Sequence, residues 1–316
     1  MNNLNRLTAV FGMLFLAIIW GGTFAGIKFV LQTGLSVGAL ITIRFALGAV
    51  FMGAVMLLLK KTLDRQSLID GTILGLILVA IFWLQVDGLR FTTASKSGFI
   101  TGLSVIFTPL VSILLKEKFK FAHGLGAMVA CLGLFFLVRD PSAPFGGWNR
   151  GDTETLLCAI LCGFHITLTA RMSRRSSPWV IALMQIVIVA VLSWILTAAL
   201  PANASAGQSM AGFGTLAEAL KHPAVWYVLL YLALIATTLG FFLQALFQSK
   251  VTATEAAIIF STEPVFAAIL ATSGLIPLVH ERLTLTQISG GALIIVAMLM
   301  SELGPKMFAK GIGNNS

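Results

Sequence analysis

The chain has 316 residues, of which 58% are hydrophobic and 10% charged, with a mean hydropathy of +0.96. A soluble domain carries about 25% charged residues, so this composition excludes a water-facing fold and points to a polytopic membrane protein. The net charge of +9 would suit nucleic acid only if the basic residues formed one patch, and their spread along the chain excludes that too.

A bilayer core about 30 Å thick takes roughly 20 apolar residues in a helix. The sequence offers ten such runs, near 10–31, 37–59, 71–90, 94–115, 121–138, 153–170, 178–200, 225–247, 251–273 and 284–303. The first is too long for the apolar part of a cleavable leader and has no A-x-A site after it, so it is expected to stay as a signal anchor. It carries Trp20 at mid-depth and Lys28 toward its outer end. A Trp away from the interface is unusual and is read either as a cavity wall or as large core packing. Lys28, like Arg44 toward the outer end of the second run, either snorkels to the headgroups or lines a positive outer vestibule.

The third run carries Trp83 at mid-depth and Gln85 a little beyond it. Asp87 and Arg90 follow, three apart, and are expected to pair. The fourth holds Ser104 near mid-depth, then Thr108 and Pro109, whose ring leaves the carbonyl of Val105 without its helical donor. Ser104, Thr108 and Gln85 are candidate neutral hydrogen-bonding groups. The sixth contains His165, either a proton carrier or a helix-to-helix hydrogen bond. Cys158 and Cys162, four apart on the same helix, and Cys131 in the fifth run read as small packing residues, because no further ligands stand at metal spacing. The loop at 201–223 is rich in Ala, Gly and Ser and includes a short helical-looking piece, "GTLAEALKH". Gln244 lies nearer the inner end of the eighth run and suits a gate or a snorkelling residue.

The ninth run reads "IFSTEPVFAAIL" at 259–270. Glu263 stands about 18 Å along a helix from Val251, close to the midplane. A carboxyl group there costs roughly 2.5–3.5 kcal/mol on insertion scales, so it is expected to face the interior. It is either a cavity-lining acid for a substrate amine or a proton, or a protonated Glu bonded to a neighbouring helix. Pro264 frees the carbonyl of Phe260, as Pro109 frees that of Val105, and such carbonyls are tolerated only where protein or water satisfies them. The two prolines are candidate hinge or kink positions. Glu255, near the inner surface after Lys250, is expected to be solvated.

With the N-terminus placed inside, 13 of the 21 lysines and arginines fall in cytoplasmic segments. That bias puts both termini in the cytoplasm. The two halves also resemble each other. "TASKSGFI" (93–100) opens the fourth run and "TATEAAII" (252–259) the ninth, each leading to a proline and a charged exit, "KEK" or "HER". Gly126-Ala127 matches Gly291-Ala292, and "AIIWGGT" (17–23) matches "AILCGFH" (159–165), which sets Thr23 against His165. The repeating unit has five spans. An odd number turns the second copy upside down, and inverted repeats of this kind characterise alternating-access carriers with a midplane site.

With these pieces together, the chain resembles the drug/metabolite transporter superfamily in its EamA group. The resemblance rests on "WGGTF", "IRFALGA", "TTASKSGFITGLSVIFTPLVSILL" and "QSKVTATEAAIIFSTEPVFAAIL", in order, and covers about 10–303. It implies a basket of ten helices with spans one, three, four, six, eight and nine around a central cavity and spans five and ten outside. It also implies small organic substrates and, for many members, export of amino acids or related metabolites. Two features depart from that pattern. Cys162 stands where the family often has Trp, and the segment from Pro264 to Glu281 is about four residues longer than usual, with Gly274 and Pro277 inside it.

The expected fold is therefore an all-α polytopic membrane protein, with ten transmembrane helices as two inverted five-helix repeats around a central cavity. The repeats are 1–145 and 146–305, with a short cytoplasmic tail at 306–316. The expected function is a secondary transporter exporting small metabolites such as amino acids, with a multidrug exporter of lipophilic cations as the alternative. Its expected substrate-binding residues are Trp20, Thr23, Trp83, Gln85, Ser104, Thr108, His165 and Glu263. The expected partners are a small-molecule substrate, membrane lipid and, as a candidate, protons, with no nucleic acid, cofactor or metal. No Ser/His/Asp set, H-E-x-x-H or P-loop argues for an enzyme, and no filter motif argues for a channel. The expected location is the plasma membrane, the inner membrane in a bacterium.

Overall fold

The computed structural model describes residues 3–92, 94–116, 121–138, 149–199, 213, 216–272, 284–286, 288–297 and 299–300. The repeat junction at 145/146, the loop around Gly274 and Pro277, and the tail at 306–316 lie outside the described residues. The described chain is helical: α1 (Asn3–Gly21), α2 (Thr23–Gln32), α3 (Val37–Leu58), α4 (Arg65–Phe91), α5 (Ala94–Gly102), α6 (Ser104–Leu114), α7 (Phe121–Val138), α8 (Arg150–Met172), α9 (Pro178–Ala199), α10 (Leu216–Ala219), α11 (Pro223–Leu230), a π-helical stretch at Tyr231–Leu239, α12 (Gly240–Gln248), α13 (Ala253–Phe260) and α14 (Glu263–Thr272), then α15 (Ile288–Ala297). Among the described residues, seven helical stretches are long and apolar enough to cross a membrane, the longest being Arg6–Gln32 and Arg65–Phe91. Leu57 and Leu58 are 80% and 81% exposed, as side chains facing lipid can be but side chains facing water rarely are.

Local chemistry sets the helix ends. The Ser36 hydroxyl accepts from the Ala39 amide at 3.1 Å, and Asp64 accepts from the Ser67 amide at 2.8 Å. Hydrogen bonds from the Ser67 hydroxyl and amide hold the Asp64 carboxyl below its ordinary range. Asn149 with Asp152, and Thr252 with Glu255, form reciprocal capping boxes on α8 and α13, each satisfying two amides the helix leaves open. Glu255 is therefore not solvated as the sequence implied. It is buried, caps its own helix, and pairs with Arg6 at 2.8 Å.

Glycines decide which helices touch. Gly71 and Gly75, one turn apart on α4, lie against Ile181, Met184, Gln185 and Ile188 of α9. A Cβ at Gly75 would come within 2.8 Å of the Ile188 Cβ. This is the close backbone approach that a small-xxx-small face allows in membranes. Gly21 lies on α14, where a Cβ would meet the Glu263 carbonyl and the Ala267 nitrogen at 2.9 Å. Gly163 of α8 lies on α6, where a Cβ would meet Phe107 Cβ at 2.9 Å. Elsewhere α3 packs on α9 and the π stretch, α4 on α8 and α9, and α1 on α12 and α13.

Polar clasps join α4 to α8 and its exit at both ends. At one end Arg175 donates to Asp70, which is fully buried and also accepts from Ser176 at 2.7 Å. At the other, Asp87 takes Arg150 at 2.8 Å as well as Arg90, Thr92 donates to Asp152 at 3.0 Å, and Asn149 donates to the Phe91 carbonyl at 3.1 Å. The expected Asp87–Arg90 pair is thus part of a larger cluster.

Candidate functional site

Three of the expected spans are broken, and the breaks converge. The first splits at Gly22 between α1 and α2, the fourth at Leu103 between α5 and α6, and the ninth at Ser261–Thr262 between α13 and α14. Pro264 stands at the second residue of α14, where its missing N–H costs no helical bond. Pro109 lies inside α6, six residues past the break at Leu103. The breaks surround a cavity of about 110 Å³, the space open to the centres of water molecules, lined in part by Trp20, Thr23, Arg44, Gln85, Thr101, Ser104, His165, Gln244, Glu263 and Pro264. At about 15 Å³ per water on that measure it holds roughly seven, the size of a small metabolite.

Phe24, Phe82, Phe241, Phe260, Leu78 and Ile81 supply the apolar wall. Trp20 packs on Phe260 and Phe241, with ring centroids 5.3 and 5.8 Å apart, and its indole N–H donates to the Ala236 carbonyl at 2.9 Å. That carbonyl belongs to the π stretch, whose wider turn displaces backbone acceptors from their α-helical places.

Two ionisable groups share the chamber. Arg44 is 2% exposed. Its Nε donates to the Thr237 hydroxyl at 2.7 Å, and its guanidinium lies 4.8 Å from the Phe82 ring centre. Glu263 stands at the start of α14, and among the described residues no side chain donates to its carboxylate. The two form no ion pair within 4.0 Å, though each lies in the field of the other. Arg44 thus turns fully inward, and a lipid-facing or snorkelling place is excluded for it.

The remaining expected residues divide. Trp20, Thr23, Gln85, Ser104, His165 and Glu263 line the chamber. Trp83 does not: its indole N–H donates to Ser193 at 3.0 Å on the far side of α4. Thr108 is fully buried behind the wall, donating to the Ser104 carbonyl at 2.7 Å. Lys28 is not among the residues that line the chamber. Its amine donates to the carbonyls of Leu89 and Thr92 at 2.6 and 3.0 Å, finishing α4 with a cation at the helix C-terminus. His165 bonds Gln185 at 2.6 Å through Nε2. Cys158 and Cys162 contact each other at 3.9 Å, with Cys162 reaching the chamber wall. Sequence reasoning missed Thr101 and placed Gln244 at a gate. Both residues line the chamber, while Thr101 Oγ1 and Gln244 Oε1 are themselves buried without a hydrogen-bond partner among the described residues, a costly state for a polar atom.

The lining helices are those of spans one, three, four, six, eight and nine, joined by the second span through Arg44. The chain matches the EamA-like transporter family twice, over 7–139 and 149–303. A protein of Archaeoglobus fulgidus named an uncharacterized transporter is 31% identical over 299 residues, which span 94% of this chain and 87% of that one. A crystal structure of a protein superposes with a TM-score of 0.74 at 15% identity, covering 96% of this chain and 99% of that chain. At that identity the likeness is one of fold.

Proposed function

The chain belongs to the EamA-like transporter family, an integral membrane transporter, and we propose that it carries small zwitterions such as amino acids, outward, by alternating access. The observation that carries this reading is the pair Arg44 and Glu263 on one chamber without an ion pair between them. A guanidinium and a carboxyl group held apart in a poorly solvated space lack the partner that would stabilise both in ionised form. A guest with a carboxylate and an ammonium satisfies both at once, Arg44 offering guanidinium N–H groups that bond nothing among the described residues and Glu263 its carboxylate oxygens. The aromatic wall takes the apolar remainder. A lipophilic cation would meet Glu263 but also the Arg44 charge, which disfavours that substrate class.

Two inverted five-helix repeats, 1–145 and 146–305, with both termini cytoplasmic, supply the movement in this reading. The two family matches support a duplicated unit. So does the packing, since exchanging spans one to five for six to ten maps the α4–α9 contact onto the contact of α3 with the π stretch, and the α6–α8 contact onto that of α1 with α13 and α14. Gly21 and Gly163, matched in the sequence comparison, make the equivalent close approach in each half. Trp20, Thr23, Gln85, Ser104 and His165 are the proposed binding residues beside the charged pair, and Pro109 and Pro264 the proposed kinks.

The test is counterflow by purified protein in liposomes across amino acids and tetraphenylphosphonium, at two pH gradients. Zwitterion exchange that falls in Arg44→Gln and in Glu263→Gln is expected. Movement of the cation with no zwitterion exchange would overturn the reading, and dependence on the pH gradient would identify protons as the coupled ion.

A further inference from the structure

Gln185 lies outside the chamber wall, in the middle of α9, and is fully buried. A buried amide in an apolar helix is costly unless satisfied, and Gln185 is satisfied in a directional way. One end of its amide meets the Ile181 carbonyl at 3.4 Å, the other His165 Nε2 at 2.6 Å. A carbonyl only accepts, so the end at Ile181 is the NH2 group, and the end at His165 is the oxygen. That fixes the flip of the amide from its network. An amide oxygen only accepts, so in the neutral imidazole His165 carries its proton on Nε2. Nδ1 is then an unprotonated acceptor, with no protein partner among the described residues, on a residue that lines the chamber. Gly75 allows this arrangement. A Cβ there would stand 3.2 Å from the Gln185 Cα, so α9 comes close enough for the amide to support the ring from behind.

One more acceptor opens on the same space, the Glu263 carboxylate. The two come from different helices, α8 and α14. We infer that Gln185 is a positioning residue that locks His165 in the Nε2–H tautomer, so that Nδ1 joins Glu263 as one of two acceptors for a primary ammonium group of the substrate. A primary ammonium has N–H donors for both; a trimethylammonium has none. The chamber thereby selects primary amino acids over their N-methylated forms. This rests on the zwitterion reading above, but the state of the ring can be tested without it.

The experiment has two arms. Selective 15N-histidine labelling gives few ring signals, since the chain has 4 His, and His165→Asn assigns the one of interest. The Nε2–H pattern is expected in the intact protein and a mixture of tautomers in Gln185→Met, a substitution close in volume. In liposomes, Gln185→Met is expected to raise KM for a primary amino acid about tenfold, the worth of one lost hydrogen bond, with kcat nearly unchanged and the preference over the trimethylated analogue reduced. In a His165→Asn background the same substitution should add nothing further. An unchanged tautomer in Gln185→Met, or an effect on KM that survives His165→Asn, would overturn the inference. A protein that exchanges no zwitterion but shows the tautomer shift would sink the substrate reading and leave the role of Gln185 standing.

Discussion

Arg175 donates twice into Asp70, Nε to Oδ2 at 2.8 Å and Nη2 to Oδ1 at 2.6 Å. The fork matches the carboxylate plane, which a lysine could not reproduce. Asp70 is fully buried while the Arg175 side chain is 53% exposed, so solvent weakens the attraction but not the consequence of losing it. Arg175→Ala leaves Asp70 with Ser176 and Gln66 alone and is expected to cost about 2 kcal/mol. Replacing both partners with leucine is expected to restore much of that. Thermal unfolding in detergent of Arg175→Ala and of the double leucine variant checks it.

Arg44→Gln should separate recognition of the two ends of the substrate. Loss of a charge-assisted contact to the carboxylate is expected to weaken zwitterion binding by about 2–3 kcal/mol, roughly 30- to 150-fold in Kd. The same variant should admit amines lacking a carboxylate, because the repelling charge is gone. Competition binding of an amino acid and its decarboxylated amine to purified protein reads both effects.

Gln244→Leu is expected to stabilise the protein and impair it. Gln244 Oε1 is buried and has no partner among the described residues, and removing such an atom typically recovers about 1 kcal/mol. A higher melting temperature together with a raised KM is the expected pair of results, and a raised KM without any stabilisation would show the oxygen to be satisfied by water.

The glycines give a contrast free of substrate. A Cβ at Gly163 meets Phe107 at 2.9 Å, whereas at Gly53 it meets nothing within 4 Å. Gly163→Ala is expected to destabilise by about 1–3 kcal/mol through overpacking. Gly53→Ala should stabilise by about 0.5–1 kcal/mol, because only helix propensity changes. Parallel unfolding curves of the two variants test this.

Much of this molecule is legible in its sequence because lipid imposes one rule, that every long apolar run must satisfy its own backbone. The runs, the acid at 263 and the likeness of "AIIWGGT" to "AILCGFH" all follow from counting. Rotation about each helix axis does not. Trp83 and Phe82 are neighbours in sequence, yet Phe82 faces the chamber and Trp83 faces Ser193. In a stretch of helix that is apolar on all sides, no polar face announces which is which. Depth left two readings open for Arg44 and Lys28, since both lie near a span end, and only packing shows that one enters the chamber while the other finishes α4. Glu255 looked solvated because its partner, Arg6, is 249 residues away. The break at Leu103 has no proline beside it, only Gly102 before it and Ser104 after it.

The stretch Tyr231–Leu239 has a consequence for the eighth span as a whole. Its carbonyls and hydroxyls reach Trp20, Arg44 and Gly48, because each π turn holds about one residue more than an α turn. Deleting Ile235, which faces lipid, should let the stretch relax to α geometry. Substrate exchange is then expected to vanish while the melting temperature holds, as liposome assays and unfolding curves would show. The surplus residue acts as slack wound into the rod: take it up, and the segments on either side keep their phase, while the Ala236 carbonyl and the Thr237 hydroxyl leave the places from which they hold Trp20 and Arg44.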